Sequence, residues 1–427
     1  MNHSGKSLSR LFSLVAIGLL VIAFFVFRSR WQGTVFSPQT AAPAAQATPE
    51  DPIPSTTIAQ NERSNQSPLP TPANPERPVW NAQDLRIVSD EPLTITAFSI
   101  ETSGNIDDPV WSPDSQAIIL NRLPGPERGI SERELWAIRL DGSGEFIGRN
   151  ALAGQWSPDG SQIAYLQRSD NDFHTYSLWI TQHPNSELRR WLADTVGLQK
   201  PSWRSDGTIL FPEQSGAISQ LSIQSESKTD LASVKTWSDP LQGQTALLSP
   251  DNTWLVVRSQ ENIEKLLVYS LDKPNEPWTV PMTEDVSYSF IIGGIAWSPD
   301  SSKIAFHAGS YRFGESIHVV DVRSRQEWNI PVRQIGDISV PHSLSWSPDS
   351  QVIAFGARNE NTRKTNLYVI NADGSNLRSL SRDENLFVRT PVWSPNGAYI
   401  LYSEFTDQDA RARPRIMTLQ PNEINQK

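Results

Sequence analysis

The sequence predicts an all-β fold, a seven-bladed β-propeller of four-stranded blades, and three observations predict it. One short phrase recurs seven times, at Trp111 (WSPDS), Trp156 (WSPDG), Trp203 (WRSDG), Leu248 (LSPDN), Trp297 (WSPDS), Trp346 (WSPDS) and Trp393 (WSPNG). Those positions lie 45, 47, 45, 49, 49 and 47 residues apart, a period of four-stranded blades rather than of helical solenoids. Between copies, apolar runs and turn signals return in one fixed order.

The phrase is a hairpin turn. Ser, a Pro with φ already fixed, then Asp followed by Gly or a small polar residue form a tight turn between two extended runs. Trp111, Trp156, Trp203, Trp297, Trp346 and Trp393 close the strand before it, where a large flat ring can fill the gap between neighbouring blades. After the turn comes an apolar, β-prone run such as QAIILNR (116–122) or VIAFGAR (352–358). A third strand follows a polar loop, as in ELWAIRL (134–140) or NLYVINA (366–372). DGS turns at 141–143 and 373–375 then lead to a shorter, more polar fourth strand, suited to an outer edge.

The seventh repeat stops one strand short, after RIMTLQ (415–420). LTITAFSI (93–100), ahead of the first phrase, is the expected outer strand of that blade, an N-terminal strand that closes the ring and leaves no open edge.

The WSPDG phrase, the apolar strand behind it and the DGS turn resemble the WD-type repeat of the TolB-like β-propellers, over residues 93–420. That resemblance implies a disc with a central channel, the first strand of each blade innermost, and no chemistry within the repeat itself. The sequence departs from the family's namesake, which carries six blades and a separate N-terminal α/β domain. The ring is therefore implied, and the namesake's role in the Tol envelope system is not.

The first 79 residues have another character. LFSLVAIGLLVIAFFVF (11–27) is an uncharged apolar run flanked by Lys6, Arg10, Arg28 and Arg30. At 1.5 Å per residue it reaches about 25 Å, close to a hydrocarbon core. The expectation is a single-pass signal-anchor helix over 11–30, with residues 1–10 cytoplasmic and the propeller outside; secretion after signal cleavage is the alternative. Residues 31–79, rich in Pro, Ala, Ser and Thr, read as a disordered linker ahead of a propeller spanning 80–427.

Composition narrows the function. The net charge is −10, which argues against a nucleic-acid partner, and the absence of cysteine excludes disulfides and a lipoprotein anchor. No G-x-S-x-G elbow, Gly-rich phosphate loop or HExxH stretch is present. Asp107, Asp108, Asp407 and Asp409 read as solvated loop carboxylates. Five histidines lie in the repeats: His174, His183, His307, His318 and His342. Some oligogalacturonate lyases share the phrase and hold a divalent metal with channel histidines; that resemblance implies an alternative in which His174, His307 and His342 ligate a metal for polysaccharide cleavage. The primary expectation is no cofactor and no catalytic group.

What remains is binding. Connections between second and third strands, and between fourth and first, share one face of a propeller. That face collects Arg128, Arg133, Phe173, His174, Tyr176, Tyr288, Tyr311, Arg312, Phe313, His342, Arg363, Lys364 and Arg411. Aromatics and arginines dominate interface hot spots, so this face is the expected docking surface for a protein, a peptide or an envelope glycan.

Overall fold

In the computed structural model the described residues are 79–421, apart from 98–102, 125–132, 170–174, 188, 197–199, 214–216, 226, 234–245, 260–264, 282–288, 311–313, 382–386 and 407–411. They form seven four-stranded antiparallel sheets. The blades begin at Ser103, Ala151, Ser202, Ala246, Ser289, Ile338 and Phe387. First strands of most neighbouring blades lie against one another, so the strand that ends in the phrase is the inner one.

The hydrophobic core is divided into interfaces rather than gathered at one centre. Leu120 and Ile138 of blade one pack with Leu401 of blade seven. Leu135 and Ile147 of blade one pack with Tyr165 of blade two, and Phe211 of blade three packs with Leu166 of blade two. Ile218 meets Val257 across blades three and four, Val268 meets Phe306 across four and five, and Ile317 meets Phe355 across five and six. Val369 and Met417 join blades six and seven. Each sheet thus buries both faces, and the circuit is complete.

The phrase does two jobs at once. Within a blade, the Ser112 hydroxyl donates to Asp114 Oδ1 at 2.6 Å and accepts from the Ala117 amide at 2.9 Å, which ties the turn to the next strand. Between blades, Trp111 Nε1 donates to the Val392 carbonyl, Trp156 to Val110, Trp203 to Gln155, Trp297 to Leu247 and Trp346 to Ala296, at 3.0–3.2 Å. Each acceptor belongs to the preceding blade. Where Leu248 stands in place of Trp, Asn252 Nδ2 reaches back to the Trp203 carbonyl at 2.9 Å.

The residue after the phrase Asp or Asn is always left-handed: Ser115, Asn252, Ser301 and Ser350 at φ 56 to 62°, Gly160, Gly207 and Gly397 at φ 73 to 78°. The serines take on the strain of that position and use it. Ser115 Oγ accepts from the Asn396 amide, Ser301 from Asp251 and Ser350 from Asp300, each acceptor one blade further on.

Two expectations need correction. The outer strand of blade seven is Leu85–Pro92, not residues 93–100: it pairs antiparallel with Arg413–Pro421, Leu85 opposite Pro421 and Pro92 opposite Arg415. Its polar alternation (LRIVSDEP) suits an outer edge, whereas the more apolar LTI that follows is used to plug the seam between blades. Leu93 and Ile95 are buried against blade one, with the Leu93 amide bonded to the Pro414 carbonyl and the Thr96 amide to that of Gly142. The expected transmembrane helix is not among the elements found: among the described residues no helix is long and apolar enough to cross a membrane. Residues 11–30, where it was expected, lie outside the described residues, as does the linker up to residue 78.

Candidate binding face

Antiparallel topology puts the phrase turns at one end of every blade. The other end, where second strands turn into third strands, carries the expected docking surface. Of its expected residues, Arg133, Tyr176, Arg363 and Lys364 are described in full and His342 by its backbone only. Arg128, Phe173, His174, Tyr288, Tyr311, Arg312, Phe313 and Arg411 lie outside the described residues.

Arg133 and Tyr176 come together although they belong to different blades. Arg168 ends the second strand of blade two directly opposite Tyr176. The backbone of Asn150, held at φ 52°, links the blades by donating to the Arg133 carbonyl at 2.7 Å and accepting from the Arg168 amide at 2.9 Å. Burial raises the Tyr176 phenol above the ordinary range while the Arg168 and Arg133 charges pull it back. Behind this group Glu134 is buried and receives Arg122 Nη1 at 2.9 Å and Trp136 Nε1 at 3.2 Å. A carboxylate so held is a support for the surface rather than part of it.

Arg363, exposed and at φ 58°, stands at the matching end of blade six. Beside it the Ser339 hydroxyl donates to Glu360, and this bond, with the Arg358, Arg333 and Arg363 charges, holds that carboxyl below the usual range. Lys364 Nζ lies 4.4 Å from the ring centroid of Phe387, and Arg389 Cζ lies 4.3 Å from that of Phe405. Phe387, Phe405 and Arg389 were missed in the sequence. The signal was their spacing: Phe387 and Phe405 stand nine residues before and after Asn396 of the turn, so a hairpin folded there sets them opposite one another.

Three of the described histidines, His183, His307 and His318, face carboxylates. His307 is 1% exposed on the second strand of blade five, its Nε2 3.8 Å from Glu315 Oε2. His342 is on the first strand of blade six, opposite Gly356. His183 Nδ1 is 3.1 Å from Glu145, and His318 Nδ1 is 2.6 Å from Glu327 with its ring stacked on Phe306. Among the described residues no group of three or more His, Asp or Glu side chains could hold a metal. Asp407 and Asp409, and the side chains of Asp107 and Asp108, are outside the described set.

On the opposite face, a cleft of about 350 Å³ opens between the phrase turns of blades two and three, lined by Asp159, Ser161, Trp203, Asp206, Ser222 and Gln224. Both turns carry glycine, Gly160 and Gly207, where the serine clasp would otherwise stand.

Comparison with known proteins adds to this geometry. No family model matches the chain. It is 33% identical over 98 residues to the Tol-Pal system protein TolB of Anaeromyxobacter dehalogenans strain 2CP-C, a match covering 22% of this chain and 21% of that protein. Among solved structures it resembles an oligogalacturonate lyase from Vibrio parahaemolyticus, with TM-score 0.55, 12% identity, 79% of this chain and 98% of that one covered. An acylaminoacyl peptidase from Pyrococcus horikoshii is similar at TM-score 0.51 and 14% identity, covering 74% of this chain and 52% of that one. Identities this low speak for the fold alone, and the fold is a TolB-like seven-bladed propeller.

Proposed function

We propose that this chain is a non-catalytic binding platform whose face of second-to-third and fourth-to-first connections docks a protein, a peptide or an envelope glycan. The supporting observation is that arginines and half-buried aromatics gather at two stations on that face, around Arg133 and Tyr176 and around Arg363, Phe387 and Arg389. The remaining expected residues, from Arg128 and Phe173 to Arg411, extend the same surface in the proposal. A location outside the cytoplasm belongs to it too, and protease accessibility in intact cells checks that.

The test is capture from cell extract and glycan-array binding by the immobilised full chain, compared with an R133A/Y176A variant and an R363A/R389A variant. Loss of the same ligand in either variant, with unchanged melting temperature, supports the platform. Equal retention by both variants and the parent moves the site elsewhere.

A second reading, a metal-dependent polysaccharide lyase of oligogalacturonate type, draws on the fold of the Vibrio lyase. It has to contend with a His307 that is closed off from solvent. Unsaturated product formed from oligogalacturonate with added divalent metal, and abolished by a chelator, would replace the platform with the lyase.

A further inference from the structure

The serine clasp runs unevenly round the face of the phrase turns. Ser115, Ser301 and Ser350 each receive the backbone amide of the phrase Asp or Asn one blade back. Glycine stands in that place at Gly160, Gly207 and Gly397, and two of these three vacancies are filled. At Gly397 an added Cβ would sit 2.4 Å from the Trp80 ring, and at Gly160 it would touch Pro113 Cδ at 3.8 Å. At Gly207 nothing lies within 4 Å. The Asp159 amide, counterpart of the three clasped donors, is thus left without a hydroxyl. The cleft of about 350 Å³ opens at this point, with Asp159 and Gly207 both in its wall. That volume suits a small molecule rather than a folded partner.

The wall mixes three kinds of surface. Pro158, Ile223 and the Trp203 indole are apolar. Trp203 is half-buried, whereas Trp111, Trp156, Trp346 and Trp393 are buried. Gln162, Gln224 and Ser205 bring two amides and a hydroxyl whose side chains make no hydrogen bond among the described residues. Asp159 and Asp206 bring carboxylates that their own turns already serve. Asp159 Oδ1 accepts from the Ser157 hydroxyl at 2.6 Å and the Ser161 amide at 3.0 Å, and Asp206 Oδ1 from the Thr208 hydroxyl at 2.6 Å and amide at 2.9 Å.

This combination selects a chemistry. A cation would find the carboxylates engaged, with Arg204 Nε already 3.8 Å from Asp206 Oδ2. An acidic ligand would meet like charge. A neutral sugar fits on both counts: each hydroxyl donates and accepts at once, which amides interleaved with the spare lone pairs of carboxylates can satisfy. Its C–H face packs on an apolar patch such as the Trp203 indole.

We propose that the cleft between the phrase turns of blades two and three binds a neutral sugar, one of whose hydroxyls takes the clasp position that Gly207 leaves vacant and receives the Asp159 amide. The site lies on the face opposite the platform and goes beyond that reading.

Saturation-transfer NMR of the full chain with glucose, galactose, mannose, N-acetylglucosamine, maltose and lactose tests it, followed by titration of any sugar that responds. Binding of at least one is expected. Gly207→Ser supplies the missing hydroxyl from the chain itself, so it should weaken that sugar about tenfold or more while the melting temperature holds or rises. The Q162A/Q224A variant should weaken it severalfold at an unchanged melt, and it decides alone if the serine variant melts lower. Silence from the whole panel overturns the proposal, as does equal affinity in the parent and both variants. Spermidine is the charge control, because Glu226, two residues beyond Gln224, lies outside the described residues. Spermidine binding that Gly207→Ser abolishes, with no sugar bound, makes the cleft a cation site and also overturns the proposal. The platform is judged on R133A/Y176A and R363A/R389A, so either reading can fail without the other.

Discussion

The Tyr402 hydroxyl donates a 2.8 Å hydrogen bond to Asp90 Oδ1, joining the second strand of blade seven to a strand more than 300 residues earlier in the chain. Arg415 completes the group, with Nε 3.1 Å from Asp90 Oδ1 and Nη1 3.2 Å from Glu404 Oε1. All four side chains are largely shielded from water. Tyr402→Phe is expected to lower stability by about 2 kcal/mol, the loss of one bond to a charged acceptor. Arg415→Ala leaves the shielded Asp90 and Glu404 carboxylates without their cation and should cost about 3–5 kcal/mol. Urea denaturation checks both, and midpoints equal to the parent's in the two variants would show that the network does not hold the closing strand.

The left-handed serines give a paired test. Ser350→Ala removes the bond from the Asp300 amide and keeps the backbone strain at φ 62°, for an expected loss of about 1–2 kcal/mol. Ser350→Gly removes the same bond and relieves the strain, so it should lie within about 1 kcal/mol of the parent. Thermal melts of the two variants decide between a clasp and a mere turn residue.

Gly397 marks the lead-in to the closing strand. At φ +77° its position suits glycine, and an added Cβ would sit 2.4 Å from the Trp80 ring. That ring packs edge-on to Trp393 at 5.7 Å, and the Trp393 indole, alone among the six phrase indoles, donates to its own turn at the Gly397 carbonyl. Gly397→Ala should cost about 2–3 kcal/mol through overlap and strain together. In a Trp80→Ala background the overlap disappears, so the further loss should shrink to about 1 kcal/mol; equal losses in the two backgrounds would contradict the contact.

Acid and neutral pH act on different carboxyls. Burial raises the Glu404 carboxyl, against the pull of Arg415, so the folded chain holds that proton more tightly than the unfolded one. Its contribution therefore falls as pH rises from about 4.3, the unfolded glutamate value, through the raised folded value. Asp114 and Asp159 behave oppositely. Hydrogen bonds, led by those from Ser112 and Ser157, hold them below the usual range, and their contribution is lost as pH falls below about 3.9. In urea midpoints measured across pH, Glu404→Gln should flatten the decline above pH 4.3 and leave the acid loss unchanged.

The phrase made the ring legible because it is short, local and repeated: the turn chemistry of Ser112 and Asp114 is set within six residues. The closing strand was harder to read. LTIT looks more strand-like than LRIVSDEP, but an outer strand needs one apolar face only, and the decision rests on pairing with residues 413–421 that local pattern does not encode. The clustering of Arg133 with Tyr176, and of Lys364 with Phe387, crosses from one blade to the next. Residue types announced a binding face, but register and blade contacts decided which of its side chains meet.

The closing strand has a consequence for how the protein is made. Leu85–Pro92 leaves the ribosome ahead of every blade, yet its partner Arg413–Pro421 follows only after six further blades have been synthesised. The strand waits through the synthesis of those blades with its edge unfilled, and blades one to six can assemble on hydrophobic contacts between neighbours before it pairs. The entropy of closing so long a loop grows only slowly with its length, so the penalty falls mainly on rate. Sealing the ring therefore has to wait for the last blade, and a chain halted before residue 413 holds an unmatched strand open to whatever else can pair with it.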